Sequence, residues 1–335
     1  MIIESRNECR SVFRTDAWVQ AWIDTWGNDS NIRLVDLGGR KNSLEYVYTE
    51  RNLIKKILPV RCLNLAGIGG SVISSPRSEY NDISDLVALH EGIPALSKVF
   101  KKLHWQQFTV PDVVQGANVD GLGALSSSLG GYCKIQKSEP SYQVRSNNFK
   151  NYLQSLGSNT RLSYFNRRSK IYQLGVVEQN RYRSSEIFQF FKLLNGFHEC
   201  RWGRPCYSQQ SQAFMANFQQ RIQQTGGEVI MESLLVDGEP VSVIFDIVWA
   251  GKRYNFQSGY LENKFHKVAL GAIHLGYSIE SAINNNLMFD FMAGGGKNSD
   301  YKKNIANQIT MFDTVCIRRS HVKYARKFYD FFKVK

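Results

Sequence analysis

Between Glu228 and Tyr260 three runs with strand character follow one another across two tight turns, Asp237-Gly238 and Ala250-Gly251. Asp-Gly between apolar runs is a strong short-range hairpin signal, so the stretch is committed to an antiparallel meander. Its flanks are helical. Ser184 can cap a helix running to about Arg201, and Ser208 or Ser211 one running to about Thr225, where Gly226-Gly227 stops it. Upstream, Asn159 to Tyr172 reads as a basic helix and Leu174 to Glu178 as a short strand. Downstream come a helix of about Lys267 to Asn284, a strand at Leu287 to Phe291, a short helix near Asp300 to Ala306, a strand at Ile309 to Arg318, and a closing basic helix. The order is therefore strand, two helices, three antiparallel strands, helix, strand, helix, strand.

The first half carries a fainter version. Thr15 can cap a helix with Trp18, Trp22 and Trp26 at four-residue spacing on one face, which makes it a docking helix. Strand-like runs at Ile32 to Leu37, Leu44 to Tyr48 and Leu53 to Leu63 follow, the first two separated by Gly38-Gly39. The string LVDLGG beginning at Leu34 echoes LLVDGE beginning at Leu234. An internal duplication of ~150 residues per copy fits the usual size of one domain. The expected fold is α/β (α+β), with one domain over 1–158 and a second over 159–335, each a mixed, mostly antiparallel twisted sheet flanked by helices.

Composition narrows the class. At 43% hydrophobic and 21% charged over 335 residues, the chain can bury sizeable cores, which excludes a disordered tail. No window approaches the ~18–20 apolar residues of a membrane span. Glu4, Arg6, Glu8 and Arg10 stand where a signal peptide would be apolar, so a cytoplasmic protein is expected. The cysteines Cys9, Cys62, Cys133, Cys200, Cys206 and Cys316 form no C-x-x-C pair, which suggests neither a disulfide framework nor a zinc knuckle. The histidines show no metal-ligand spacing, and no metal is expected. The GGGKNS string is no P-loop, because Asn298 replaces Ser or Thr and Phe291 stands at the first glycine; Val72 likewise removes the third glycine of a Rossmann fingerprint. Charge is uneven: 18 basic against 15 acidic residues in 1–160 give +3, and 24 against 14 in 161–335 give +10. That asymmetry points to an anionic partner for the second half, whether phosphate-bearing cofactor, nucleic acid, anionic glycan or membrane surface.

Several strings carry a family resemblance: FRTDAWVQAW at Phe13–Trp22, LLNGFHECRW at Leu193–Trp202, the meander LLVDGEPVSVIFDIVWAGKRYNFQSGY at Leu234–Tyr260, and LMFDFMAGGGKNSDYKK at Leu287–Lys303. With the element order, they resemble the double-GNAT acyltransferases of the cellulose-biosynthesis (CelD-like) group, themselves distantly similar to Fem-type aminoacyl transferases. The chain departs from that pattern at Ala293, where a basic residue is common, in the glycine-rich stretch Gly294–Ser299, and at Ala269-Leu270, where Ser-Pro usually precedes the glycine matched by Gly271. The resemblance implies two tandem GNAT-like domains, the first degenerate, and acyl transfer from acetyl-CoA or another acyl-CoA. The implied acceptor is a glycan, lipid-linked sugar or amine in envelope or exopolysaccharide synthesis.

Such an enzyme must hold a pyrophosphate, deprotonate a nucleophile and steady an oxyanion. Gly271 and Ala272 at the start of the Lys267–Asn284 helix, with Lys267 beside them, are the candidate phosphate site; close helix packing is the other use for Gly271. Asp290, between Phe289 and Phe291, either points into a cleft as a base or caps the following glycine loop. His198 is a second candidate base or a packing residue, while Arg201, three residues on, can clamp a phosphate or carboxylate, with Trp202 adjacent. Tyr301 and Lys302 either close over a substrate or stay solvated. The terminal IRRSHVKYARKFYDFFKVK has an apolar face for core packing, and its basic residues offer the alternative of a contact with a membrane surface, peripheral to the inner membrane, or with a polyanion. Two other readings stay open: a noncatalytic binding or scaffold protein of a polysaccharide synthesis system, and a Fem-type transferase using aminoacyl-tRNA.

Overall fold

The computed structural model describes residues 11–38, 43–54, 58–116, 119–262, 264–265, 268–293 and 300–320. The fold is mixed α/β, and the chain divides into two compact units: Arg10–Glu139 joined by the chain from Met311 onward, and Pro140–Thr310. The divisions fall inside two strands, β5 (Gly131–Val144) and β11 (Gln308–Arg319), rather than at the expected 158/159, because the last strand returns to the first unit.

The first unit begins with α1 (Asp16–Trp26), capped by Thr15, whose Oγ1 accepts from Trp18 N at 3.3 Å. Its three indoles are buried; Trp18 Nε1 donates to Gly67 O at 2.7 Å and Trp22 stacks on Tyr48 at 4.8 Å. The meander is β1 (Ile32–Asp36), β2 (Tyr46–Ile54) and β3 (Leu58–Leu65). After α2 (Ser84–Leu89) and α3 (Ile93–Lys102), β4 (Gln107–Val114) runs parallel to β3, and α4 (Val119–Ser128) leads into β5. Strand β11 pairs antiparallel with β4 from Phe312↔Val114 to Arg318↔Gln107. Phe100, Trp105 and Phe108 form the aromatic centre of this unit's core.

The second unit repeats that order. After the end of β5 come α5 (Phe149–Ser155), α6 (Ser158–Arg161), a π-helical turn at Leu162–Asn166, and α7 (Arg168–Ile171). The continuous helix expected over Asn159–Tyr172 is thus broken, and a close approach explains where. A Cβ on Gly276 would lie 2.2 Å from the Tyr164 carbonyl oxygen, so glycine there lets the turn pack against the neighbouring helix. Then follow β6 (Val177–Arg181), α8 (Ile187–Trp202), α9 (Gln209–Gln223), β7 (Glu228–Val236), β8 (Glu239–Trp249), β9 (Lys252–Tyr260), α10 (Leu270–Asn284), β10 (Met288–Asp290) and α11 (Asp300–Ile305). Ser208 Oγ caps α9 by accepting from Ser211 N at 3.1 Å. Strands β6 to β9 are antiparallel, β10 is parallel to β9, and β5 is antiparallel to β10. One sheet face is covered by α8, where Phe190 and Phe191 pack on Phe245, and the other by α10. The sequence α9–β7–β8–β9–α10–β10–α11–β11 reproduces α1–β1–β2–β3–(α2, α3)–β4–α4–β5. The basic terminal helix expected after Arg319 lies outside the described residues.

Candidate functional site

Strand β10 pairs with β9 only at Met288↔Lys252, Phe289↔Arg253 and Asp290↔Tyr254. Past Tyr254, β9 runs on to Tyr260 with no β10 partner among the described residues, and midway along it Ser258 N donates to Gln257 Oε1 at 3.1 Å while its carbonyl meets His198 Nε2 at 3.0 Å. The β8–β9 register shifts between Phe245/Asp246, opposite Gln257 and Asn255, so Phe256 is the extra residue of a bulge. The bulge changes the strand's phase and brings Asn255, Ser258 and Tyr260 to the same face.

A cleft of ≈ 570 Å³ lies against that face. Its walls include Asn255, Ser258 and Tyr260 of β9, Ile244 of β8, Ala269, Gly271, Ala272 and Leu275 at the start of α10, Tyr164 of the π turn, Arg201 and Trp202 at the end of α8, and Tyr301 of α11. Helix α10 begins at Leu270, not Lys267; its N-cap, Ala269, supplies no side-chain cap, and its carbonyl accepts from Ile273 N at 3.0 Å. A helix start with N–H groups left over and a positive dipole end suits an anion. Gly271 has a packing reason as well, since a Cβ there would lie 2.5 Å from the Tyr260 ring.

Arg201 is sandwiched, its guanidinium 4.7 Å from the Trp202 ring and 4.8 Å from the Tyr260 ring, and its Nε lies 2.8 Å from Glu262 Oε1. Trp202 is 59% exposed at the rim. Burial raises the Tyr164 and Tyr301 phenols above their ordinary pKa of 10.0; neighbouring tyrosines add to this, and Arg201 opposes it at Tyr301. Both are thus held protonated, and among the described residues neither hydroxyl has a hydrogen-bond partner. A phenol in that state can give its proton to a leaving group or donate to an oxyanion.

Five of the residues singled out in the sequence therefore meet here: Arg201, Trp202, Gly271, Ala272 and Tyr301. Others do not. Asp290 is 0% exposed and is not among the lining residues; its carboxylate accepts from Ser141 Oγ at 2.9 Å, Gln143 Nε2 at 3.5 Å and Met292 N at 2.9 Å. The bond from Met292 N, two residues on, is a local turn at the end of the strand; Gly294–Gly296 of the loop it was expected to cap lie outside the described residues. Lys302 also lies outside the cleft: its Nζ donates to the Phe291 and Met292 carbonyls at 3.1 and 2.9 Å, which ties α11 to the end of β10. His198 stands behind the wall, its ring Nε2 3.0 Å from Ser258 O. Burial lowers its pKa below 6.5, the Ser258 bond opposes and the Arg201 charge adds, so near neutral pH the ring is uncharged with its proton on Nε2. Lys267 lies outside the described residues.

Beneath the cleft is a polar cluster that no sequence motif marks. Asp246, 0% exposed, accepts from Arg253 Nε at 2.6 Å, Ser278 Oγ at 2.7 Å and Asn255 Nδ2 at 2.8 Å. Arg253, 1% exposed, also donates to Glu232 and Ser281 at 3.1 Å each. A lone carboxylate inside the apolar run VSVIFDIVW, with an arginine seven residues later across a tight turn, was the available signal. Among the described residues no group of acidic, cysteine and histidine side chains could hold a metal ion.

The second unit is thus a helix-covered, mostly antiparallel sheet in which the parallel pair β9 and β10 parts beside the start of α10. Residues 158–303 match the family model described as an acetyltransferase (GNAT) domain. Nearly the whole chain resembles three solved structures. A conserved protein of unknown function from Bacteroides thetaiotaomicron shares 10% identity over 93% of each chain, with a TM-score of 0.54. FemX shares 12% identity over 91% of this chain and 96% of its own, at 0.53. The C-terminal domain of a putative lysylphosphatidylglycerol synthetase from Agrobacterium fabrum shares 6% over 95% and 92%, at 0.51. At such identities the likeness is one of fold, and with the repeated element order it describes two tandem GNAT-like units. No curated protein matches the sequence.

Proposed function

We propose that the chain is an acyltransferase whose second unit holds an acyl donor in the β9–α10 cleft and passes the acyl group to an amine or hydroxyl. The observation that carries this is the start of α10, without a side-chain cap, facing a cleft lined by Asn255, Ser258 and Tyr260 of β9. Acyl-coenzyme A fits the residues present: the phosphates would meet the N–H groups of Gly271 and Ala272, and the extended arm would lie along the cleft face of β9. Bound there, the donor supplies an activated acyl group. The chain's own residues do the rest: Arg201 and Trp202 form one rim, Ile244 and Leu275 exclude water, and Tyr301 and Tyr164 stand as proton donors. His198 acts as a positioning residue, holding Ser258 and with it the curve of β9.

The acceptor we favour is a glycan or lipid-linked sugar of the cell envelope or an exopolysaccharide, made in the cytoplasm or at the inner face of the membrane. Support comes from the sequence resemblance to the CelD-like group; no described helix is long and apolar enough to cross a membrane. A donor that binds only the folded state must raise its melting temperature. Acetyl-CoA at 100 times its dissociation constant should add about 2.7 kcal/mol. A noncatalytic scaffold would show no such shift. The likeness to FemX and the +10 charge of residues 161–335 support a second reading, an aminoacyl-tRNA donor, for which tRNA binding that weakens steeply with salt is the test.

A further inference from the structure

Resting on the acyltransferase reading, we propose that Asn255, held in one orientation by Asp246, is a specificity-determining residue that selects a donor whose acyl group carries an N–H or O–H. A carboxylate paired with a guanidinium accepts hydrogen bonds and gives none. Asp246 is so paired, and Asn255 meets its Oδ1 at 2.8 Å, so the Asn255 amide must turn its NH2 toward Asp246. The amide oxygen then faces away from the carboxylate, on a side chain that lines the cleft, and among the described residues it has no hydrogen-bond donor. Asp246 cannot relax, being fixed also by Arg253 and Ser278 from β9 and α10.

Position settles which part of the donor is read. The helix start at Ala269–Ala272 and Tyr260 mark one end of the cleft, and Asn255, next to the last β9–β10 pair at Tyr254, marks the other. They are separated by roughly 15 Å of strand. A donor with its phosphates at the helix start brings its acyl end toward Asn255. Ile244 and Leu275 line the same cleft and offer no hydrogen bond, so a methyl group at this point would leave the amide oxygen unpaired.

The test uses three thioesters of nearly equal size, acetyl-, glycoloyl- and glycyl-coenzyme A, titrated into the full chain by calorimetry. The wild type should bind glycoloyl- or glycyl-CoA on the order of tenfold more tightly than acetyl-CoA. Which one leads tells a hydroxyacyl from an aminoacyl donor, and either result supports the inference. Asn255→Leu should bring the ratio to about one, and Asn255→Ser, which strains packing less, should lower it too. Asp246→Asn should also lower the ratio, since a carboxamide at 246 can donate as well as accept and no longer holds Asn255 in one sense; loss of stability alone would leave the ratio unchanged. Equal binding of all three by the wild type, or a preference that survives both Asn255 variants, overturns the inference while the transferase reading stands. If none of the three binds, both fall.

Discussion

Replacing Arg253 by Met should be the most damaging single change beneath the cleft. Arg253 is 1% exposed and pairs with Asp246, 0% exposed, at 2.6 Å and with Glu232 at 3.1 Å. Methionine matches the arginine stem and fills most of the space but offers neither carboxylate a partner. Removing one member of a buried ion pair typically costs about 3–5 kcal/mol, because an uncompensated charge stays behind. For a unit of this size that lowers the melting temperature by on the order of 10 °C. Urea unfolding followed by far-UV circular dichroism measures it, with an unchanged slope showing that the unfolded reference is the same. The double variant Arg253→Met/Asp246→Leu should recover a large part of the loss, because the pair is removed together. A loss below about 1 kcal/mol for the single variant, or a further loss for the double, would show that the charges are hydrated and that the cluster is no rigid support for Asn255.

Other consequences are smaller in scope. Tyr301→Phe should lower kcat at least tenfold with little change in melting temperature; an unchanged kcat would remove this phenol from the proton-donor role. His274 is buried against Ser242 and its pKa is lowered to about 3, chiefly by burial and then by the Arg253 charge. Below pH 6.5 the unfolded imidazole takes up a proton that the folded one refuses until about pH 3. This group's contribution is therefore complete above pH 6.5 and is lost as pH falls, by up to about 1.4 kcal/mol per unit. His274→Gln should flatten the stability profile between pH 6 and 4 relative to the wild type, and a parallel profile would contradict that. Lys302→Met, which unties α11 from the Phe291 and Met292 carbonyls, should raise the donor's KM through Tyr301, read by steady-state kinetics.

Much of this was legible because local rules and tertiary structure agree. The three indoles of α1, the Ser208 cap and the two tight turns of the second meander each appear where the spacing requires. What stayed hidden depends on contacts distant in sequence. Tyr164 reaches the cleft only because a π turn breaks the helix that its neighbours' propensities favour, and that turn exists against Gly276, more than a hundred residues away. The bulge at Phe256 leaves no periodic mark, so Asn255, Ser258 and Tyr260 look like residues of alternating face until β8 is paired with them. Asp290 was readable as important but not in its role: one strand position separates a cleft-facing carboxylate from one folded back onto Met292 N. Strand β5 runs through KIQKSEP, a polar stretch ending in proline that carries little strand signal.

In the proposed complex the donor's phosphates lie against the first turn of α10 while its acyl arm follows β9. A crystal structure of the chain grown with coenzyme A tests it most directly. Pyrophosphate density should lie within hydrogen-bond distance of the Gly271 and Ala272 amides, with the arm running past Ser258 toward Asn255. Coenzyme A bound elsewhere, with Tyr260 still closed over Gly271 and the cleft filled by solvent, would contradict it.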